Sequence, residues 1–221
     1  MSGVIAMTVQ HGRRRLLTGM AAATAAGVLR PLSAAATLLP TPAQTEGPFY
    51  PLRLPLDSDN DLVRVAGQPS SAAGTIAHVA GRVLDLNGRA IPGARVEIWQ
   101  CDANGRYHYV RDTNPAAEDA GFQGYGQTIT AADGGYRFRT IRPVPYPGRT
   151  AHIHFKISGN GFDSLTTQLY VAGEPRNATD GILNGIDVSA RERVIVPFPP
   201  APEIEDKALK AAFDIVLGDA S

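Results

Sequence analysis

The chain has 221 residues, 43% of them hydrophobic and 19% charged, which suits one domain with a full core and excludes a disordered chain. Its 21 basic residues balance its 21 acidic ones, so no excess of positive charge argues for nucleic acid or an anionic membrane as a partner. A single cysteine, Cys101, excludes an internal disulfide and leaves the fold to its core.

In chain order, residues 1–36 read as an export signal. Arg13-Arg14-Arg15 precede Leu16-Leu17, an Ala-rich weakly apolar run follows, and Ala34-Ala35-Ala36 offers a small-residue cleavage site. The pattern resembles a twin-arginine leader and predicts a periplasmic or extracellular protein. Taking out the segment's four arginines leaves 17 basic against 21 acidic residues, a net charge of −4 with no membrane anchor expected. Residues 37–75 read as an irregular arm. Pro40, Pro42, Pro48, Pro51 and Pro55 remove amide donors, and 69–74 is a turn-rich stretch. The arm's Phe49, Tyr50 and leucines are expected to be covered by the domain or by a second subunit, and a homo-oligomer is left open.

From residue 76 to 221 the pattern changes to short runs of β-branched and aromatic residues separated by turn residues such as Asn87-Gly88, Asn104-Gly105 and Asp133-Gly134. Strands are predicted at 76–86, 94–100, 126–131, 135–141, 151–158, 165–172 and 192–197, with a weaker one at 212–217. A helical turn or two is expected at 205–212 and one at 114–121. The fold class is all-β, an antiparallel β-sandwich.

The chemistry concentrates in Tyr146-Pro147-Gly148-Arg149-Thr150-Ala151-His152-Ile153-His154. On a strand His152 and His154 share one face, about 7 Å apart along it, and can converge on one metal ion. Two histidines on a solvated strand face remain the alternative. Tyr146 sits among Pro143, Pro145 and Pro147, in a loop short enough to fold back over the same sheet end. No carboxylate or thiol lies near the histidines in sequence, so tyrosines are the nearest hard anionic donors. A phenol ionises near neutral pH only beside a strong Lewis acid, and ferric iron qualifies.

Seven stretches together carry a family resemblance: 44–50 (QTEGPFY), 94–100 (ARVEIWQ), 105–107 (GRY), 136–141 (YRFRTI), 145–147 (PYP), 151–155 (AHIHF) and 167–170 (TQLY). In order and spacing they resemble the intradiol dioxygenases, the catechol, hydroxyquinol and protocatechuate ring-cleaving enzymes, over residues 44–217. The resemblance implies a transthyretin-like sandwich core and non-haem ferric iron held by Tyr107, Tyr146, His152 and His154. It implies cleavage of a catecholic ring between its two hydroxyl-bearing carbons with dioxygen, giving a muconate-type diacid. Tyr146 would be the exchangeable ligand, Arg149 a cation beside developing negative charge, and Gln168 a hydrogen-bonding group for the intermediate. Tyr109 competes with Tyr107 as first tyrosine ligand, while Tyr50, Tyr125, Tyr136 and Tyr170 are read as structural. The short loop between Tyr146 and His152, and Gly148 where the protocatechuate type has a bulky aromatic, imply an open pocket. The competing readings are a non-catalytic transthyretin-like binding module, suggested by the turns between Gly81 and Tyr146, and a zinc or copper hydrolase built on the same histidines.

Overall fold

The computed structural model describes residues 37–108 and 111–218. The expected leader, 1–36, and Tyr109 lie outside the described residues. Within them nine strands form two sheets. They are β1 (Ile76–Leu84), β2 (Arg95–Trp99), β3 (Tyr125–Ile129), β4 (Gly135–Ile141) and β5 (His152–Ser158). β6 (Leu165–Val171), β7 (Ile195–Val196), β8 (Leu209–Ala212) and β9 (Ile215–Val216) complete the set. One sheet runs β4-β1-β8, with β9 pairing the far end of β1, and the other runs β3-β2-β5-β6-β7.

Alternation explains how the two sheets meet. On β5, Ile153, Phe155 and Ile157 are solvent-free and join the core, as do Val96 and Ile98 on β2, with Val79 and Phe138 contributed by the first sheet. Phe155 meets Tyr136 and Phe213 of the opposite layer edge-on, with ring centroids 6.0 and 5.1 Å apart. Aromatic edges against faces are the preferred geometry in such interiors. The all-β sandwich read from the sequence is the observed fold. The central pairs are antiparallel, but β8 and β9 run parallel to β1, and β7 runs parallel to β6.

Two helix expectations give way. Residues 205–212 are rich in helix-forming residues, yet Lys207 has φ +58° and Leu209–Ala212 pairs with Ala77–Ala80 as β8. Edge pairing along an already formed strand outweighs a propensity worth only tenths of a kcal/mol per residue. Residues 114–121 form no helix. The helical turns lie instead at Pro175–Ala178, α1 (Gly181–Asn184) and α2 (Val188–Arg191), after β6.

The chain before β1 crosses both sheets. The Gln44 amide donates to Thr166 O at 2.8 Å, and the Leu62 amide donates to Arg139 O at 2.8 Å. Leu62 and Val63 are fully buried, and Tyr50 donates to Glu97 at 2.8 Å. Within the single chain the domain leaves Leu38, Leu39, Leu52, Leu54 and Leu56 exposed. The intervening prolines hold the chain extended, so only one side of it can face the sheet.

Candidate active site

The two histidines lie on the face of the five-stranded sheet that points away from the sandwich core. Register fixes their neighbours: Trp99 pairs with both Tyr125 and His154, His154 pairs with Gln168, and His152 pairs with Tyr170. The row Tyr125–Trp99–His154–Gln168 therefore crosses four strands on one face. Both histidines are almost wholly buried because residues 44–50, the loop after β2 and the loop before β5 roof them over. A Cβ at Gly47, whose φ is +73°, would stand 3.4 Å from the His154 ring, so that glycine lets the roof lie close and turn at once.

The imidazoles converge. His152 Nε2 and His154 Nε2 are 3.1 Å apart, and Tyr107 Oη is 3.5 Å from His152 Nε2. His152 Nδ1 lies 2.7 Å from Thr150 O, which can only accept, so that nitrogen carries the proton and Nε2 presents a bare lone pair. The Trp99 ring stacks on His154 at 4.7 Å and sets its plane. Tyr146 completes the cluster, its ring 5.4 Å from Tyr107 and 5.6 Å from His152. The structure thus brings Tyr107, Tyr146, His152 and His154 together.

Charge follows burial. Burial, with the Arg149 charge adding to it, drives His152 down to about 3. Burial, then His152 and Arg149, takes His154 well below its ordinary value. Both rings are neutral. Burial pushes the Tyr107 phenol well above its ordinary value and also raises Tyr146, although Arg149 pulls the latter back. Neither tyrosine ionises by itself, so a cation must supply the driving force.

Such an ion fits the donors present. Two ligand atoms bound side by side at about 2.1 Å to one ion stand about 3 Å apart, close to the separation of the two Nε2 atoms. Holding a metal-binding histidine through Nδ1 to a backbone carbonyl, as Thr150 does for His152, is the usual way of fixing the ring. Among the described residues no group of three or more His, Cys, Asp and Glu side chains is arranged around an ion. Phenol oxygens are therefore the anionic donors on offer beside the histidines, which favours a hard trivalent ion over zinc or copper.

Arg149 and Gln168 stand beside the cluster and touch each other. Arg149 Nη2 donates to Gln168 Oε1 at 2.6 Å, while its Nε donates to Asp180 Oδ2 at 2.9 Å. Burial would lower the guanidinium's pKa, but Asp180 raises it overall, so the cation is permanent. Asp180 also accepts from the Thr150 amide at 2.9 Å and caps α1 through the Ile182 and Leu183 amides. Sequence reasoning missed it. The one available signal was an aspartate before a short helix. Tyr170, read as structural, ties the roof to Gln168: its hydroxyl lies 2.6 Å from Gln44 Oε1 and 3.0 Å from Gln168 Oε1. Gly148 has φ +83° and a Cβ there would meet nothing within 4 Å. The space beside it is open, and any side chain placed there would also strain the backbone.

With this geometry the comparisons with known proteins agree. A family model described as "Dioxygenase" matches residues 45–219. The protocatechuate 3,4-dioxygenase beta chain of Burkholderia cepacia is 41% identical over 167 residues, covering 72% of this chain and 71% of that one. The chain belongs to the intradiol dioxygenase family. Within that family it is also 34% identical to the dioxygenase domain of a dioxygenase carbohydrate-binding fusion from the cellulolytic bacterium Streptomyces sp. SirexAA-E. That match has a TM-score of 0.60 and covers 82% of this chain and 99% of that domain. The catechol 1,2-dioxygenase of Acinetobacter sp. ADP1, solved with bound mercury, matches with TM-score 0.64 at 29% identity over 81% of this chain. This chain spans 63% of that enzyme, and 65% of the hydroxyquinol 1,2-dioxygenase of Nocardioides simplex, so it is shorter than those members of the family.

Proposed function

We propose that the protein is a non-haem ferric intradiol dioxygenase that opens a catecholic ring between its hydroxyl-bearing carbons with dioxygen, yielding a muconate-type diacid. The observation that carries this reading is the convergence of two neutral imidazole nitrogens and two phenols where, among the described residues, no group of three or more His, Cys, Asp and Glu side chains could hold the ion instead. Family membership supports it over a non-catalytic sandwich module, which has no use for that cluster.

Tyr107, Tyr146, His152 and His154 would hold the iron. When bound, ferric iron supplies the Lewis acidity that ionises phenols and the redox coupling between catechol and dioxygen. The rest is done by the chain. Tyr146, the less buried phenol, would accept one of the two catechol protons on its Oη if iron holds it as a tyrosinate. Arg149, locked by Asp180 and Gln168, sets a permanent cation beside the ring on which negative charge develops. Gln168 is held at both ends, by Arg149 on Oε1 and by Thr45 O on Nε2 at 3.1 Å, so it enters the reaction already oriented. The roof of residues 44–50 limits water around the histidines.

The experiment is elemental analysis and oxygen uptake on the purified protein. About one iron per chain, a wine-red tyrosinate band and ring opening between the hydroxyls are expected. An active iron-free protein, or cleavage beside the diol, overturns the reading. Tyr107→Phe should lose iron and weaken the band, and Tyr109→Phe should spare both. The reverse would reassign the first ligand. We also propose export by the twin-arginine route, on Arg13-Arg14-x-Leu16-Leu17. Replacing Arg13 and Arg14 by Lys should hold the protein in the cytoplasm, and unchanged export would refute it.

A further inference from the structure

Beside the ligand cluster lies a cavity of about 650 Å³, walled by five aromatic rings: Phe49, Trp99, Tyr107, Phe122 and Tyr125. Its volume falls in the range of about 300–1,000 Å³ that encloses whole organic ligands. A single benzene ring needs far less, since an apolar cavity of about 150 Å³ accepts one. A chamber of this size is not explained by a one-ring catechol.

Its position ties it to the cluster. Trp99 and Tyr107 are shared walls, because the Trp99 ring lies on His154 and the Tyr107 hydroxyl faces His152. Phe49 is the partition. Its ring stacks on Tyr107 with centroids 4.4 Å apart and meets Tyr146 edge-on at 6.1 Å. Its exposed rim comes from two separate pieces of chain, the extended arm through Ala66 and the loop before β3 through Ala120.

We propose that this chamber is an aryl subsite, which holds the remote ring of a catechol bearing a second aromatic ring while its diol faces the histidines. Flat aromatic walls favour a ring over an alkyl chain, through stacked and edge-on contacts. The inference names the substrate class for the proposed ring cleavage and rests on that reading for its kinetic arm alone.

Two measurements test it on the full-length iron-loaded protein. The first compares catechol with 4-phenylcatechol in the native enzyme and in Ala66→Phe and Ala120→Phe, which set a bulky ring at the exposed rim of the chamber, outside the ligand cluster. KM for 4-phenylcatechol should rise about tenfold or more in each variant, while the specificity constant for catechol stays within about twofold. Equal losses for both substrates, or no change for either, overturn the subsite. The second is independent of turnover. Trp99 is the single tryptophan of the chain, so its fluorescence reports its own wall of the chamber. Titration with 4-phenylphenol, which lacks the second hydroxyl needed to chelate, should give saturable quenching that weakens in both variants. Quenching without any ring cleavage would keep the subsite and sink the proposed reaction. Absence of quenching, or quenching that the two variants leave untouched, sinks the subsite.

Discussion

The two faces of the five-stranded sheet carry the same strands and opposite chemistry. Along β5 the inward residues Ile153, Phe155 and Ile157 meet only other apolar side chains, whereas the outward residues His152, His154 and Lys156 meet carbonyls, rings and carboxylates. Both faces are dry near the middle of the strand, but for different reasons. The inner face is covered by a second sheet, which needs nothing more specific than volume. The outer face is covered by loops and an arm, whose polar atoms must each find a partner. Tyr50 and Tyr125 both donate to one carboxylate oxygen of Glu97, at 2.8 and 2.6 Å, so even the aromatic part of the roof is pinned by hydrogen bonds. Stability is concentrated on one face and function on the other, one residue apart.

The largest expected break between them is His154→Ala. It should remove iron, the visible band and more than about 10³ of the activity, as loss of a group that acts within a catalytic unit does, with a much smaller effect on the apo-protein's denaturant midpoint. Elemental analysis and oxygen uptake read the first part and urea melts the second. Comparable destabilisation would mean that the outer face also carries the fold. Ile153→Ala, one residue away, should do the opposite, costing about 2–5 kcal/mol of unfolding free energy from the cavity it leaves. Iron should still bind at temperatures where the variant is folded. A fully stable Ile153→Ala protein would refute the division.

Asp180→Asn sharpens the comparison on the outer side. The charge-assisted hydrogen bond to Arg149 should weaken by about 1.5–3 kcal/mol, freeing the guanidinium. Because Asp180 positions Arg149 without meeting substrate, kcat should fall more than KM changes, and iron content should hold. A pure KM effect would place Arg149 in ground-state binding instead. The smallest effect belongs to the far layer. Arg139 pairs with Glu205 at 2.6 Å and with Asp61 at 3.0 Å, clamping the arm to β4. The Arg139 hydrogen bond holds Glu205 down to about 2 from 4.5. A carboxylate depressed in the folded state contributes stability above its ordinary range and loses it as pH falls from 4.5 towards 2. Glu205→Gln should flatten that part of the acid stability curve while leaving activity at neutral pH unchanged. An acid curve that keeps its slope would place the sensitivity elsewhere.

How much of this was readable beforehand follows the same division. The six strands from β1 to β6 announce themselves through alternation and β-branched content, because a buried sheet face imposes a period of two. β8 does not, since Ala208-Leu209-Lys210-Ala211-Ala212 prefers a helix until β1 offers an edge to pair with. The histidines are readable because strand geometry alone puts them on one face. Asp180, Gln44 and Glu97 are not, because each acts on a partner far away in sequence: Asp180 on Arg149 from 31 residues off, and Gln44 on Thr167 across 123.

The roof has a consequence for the order of events. Residues 44–50 come from the beginning of the chain, but the floor they close over, His152 to Tyr170, is made more than a hundred residues later. During synthesis the cover exists long before there is anything to cover, and closing so long a loop is entropically unfavourable until the floor is rigid. The arm should therefore dock last, after the sandwich has formed, and for that interval the two imidazoles face solvent and an incoming ion. Pulse-labelling hydrogen exchange during refolding would show it: the Gln44 amide, bonded to Thr166 O, should gain protection after the Ile153 amide of the central strand. Simultaneous protection would mean that the site closes as it forms, leaving the metal no late door.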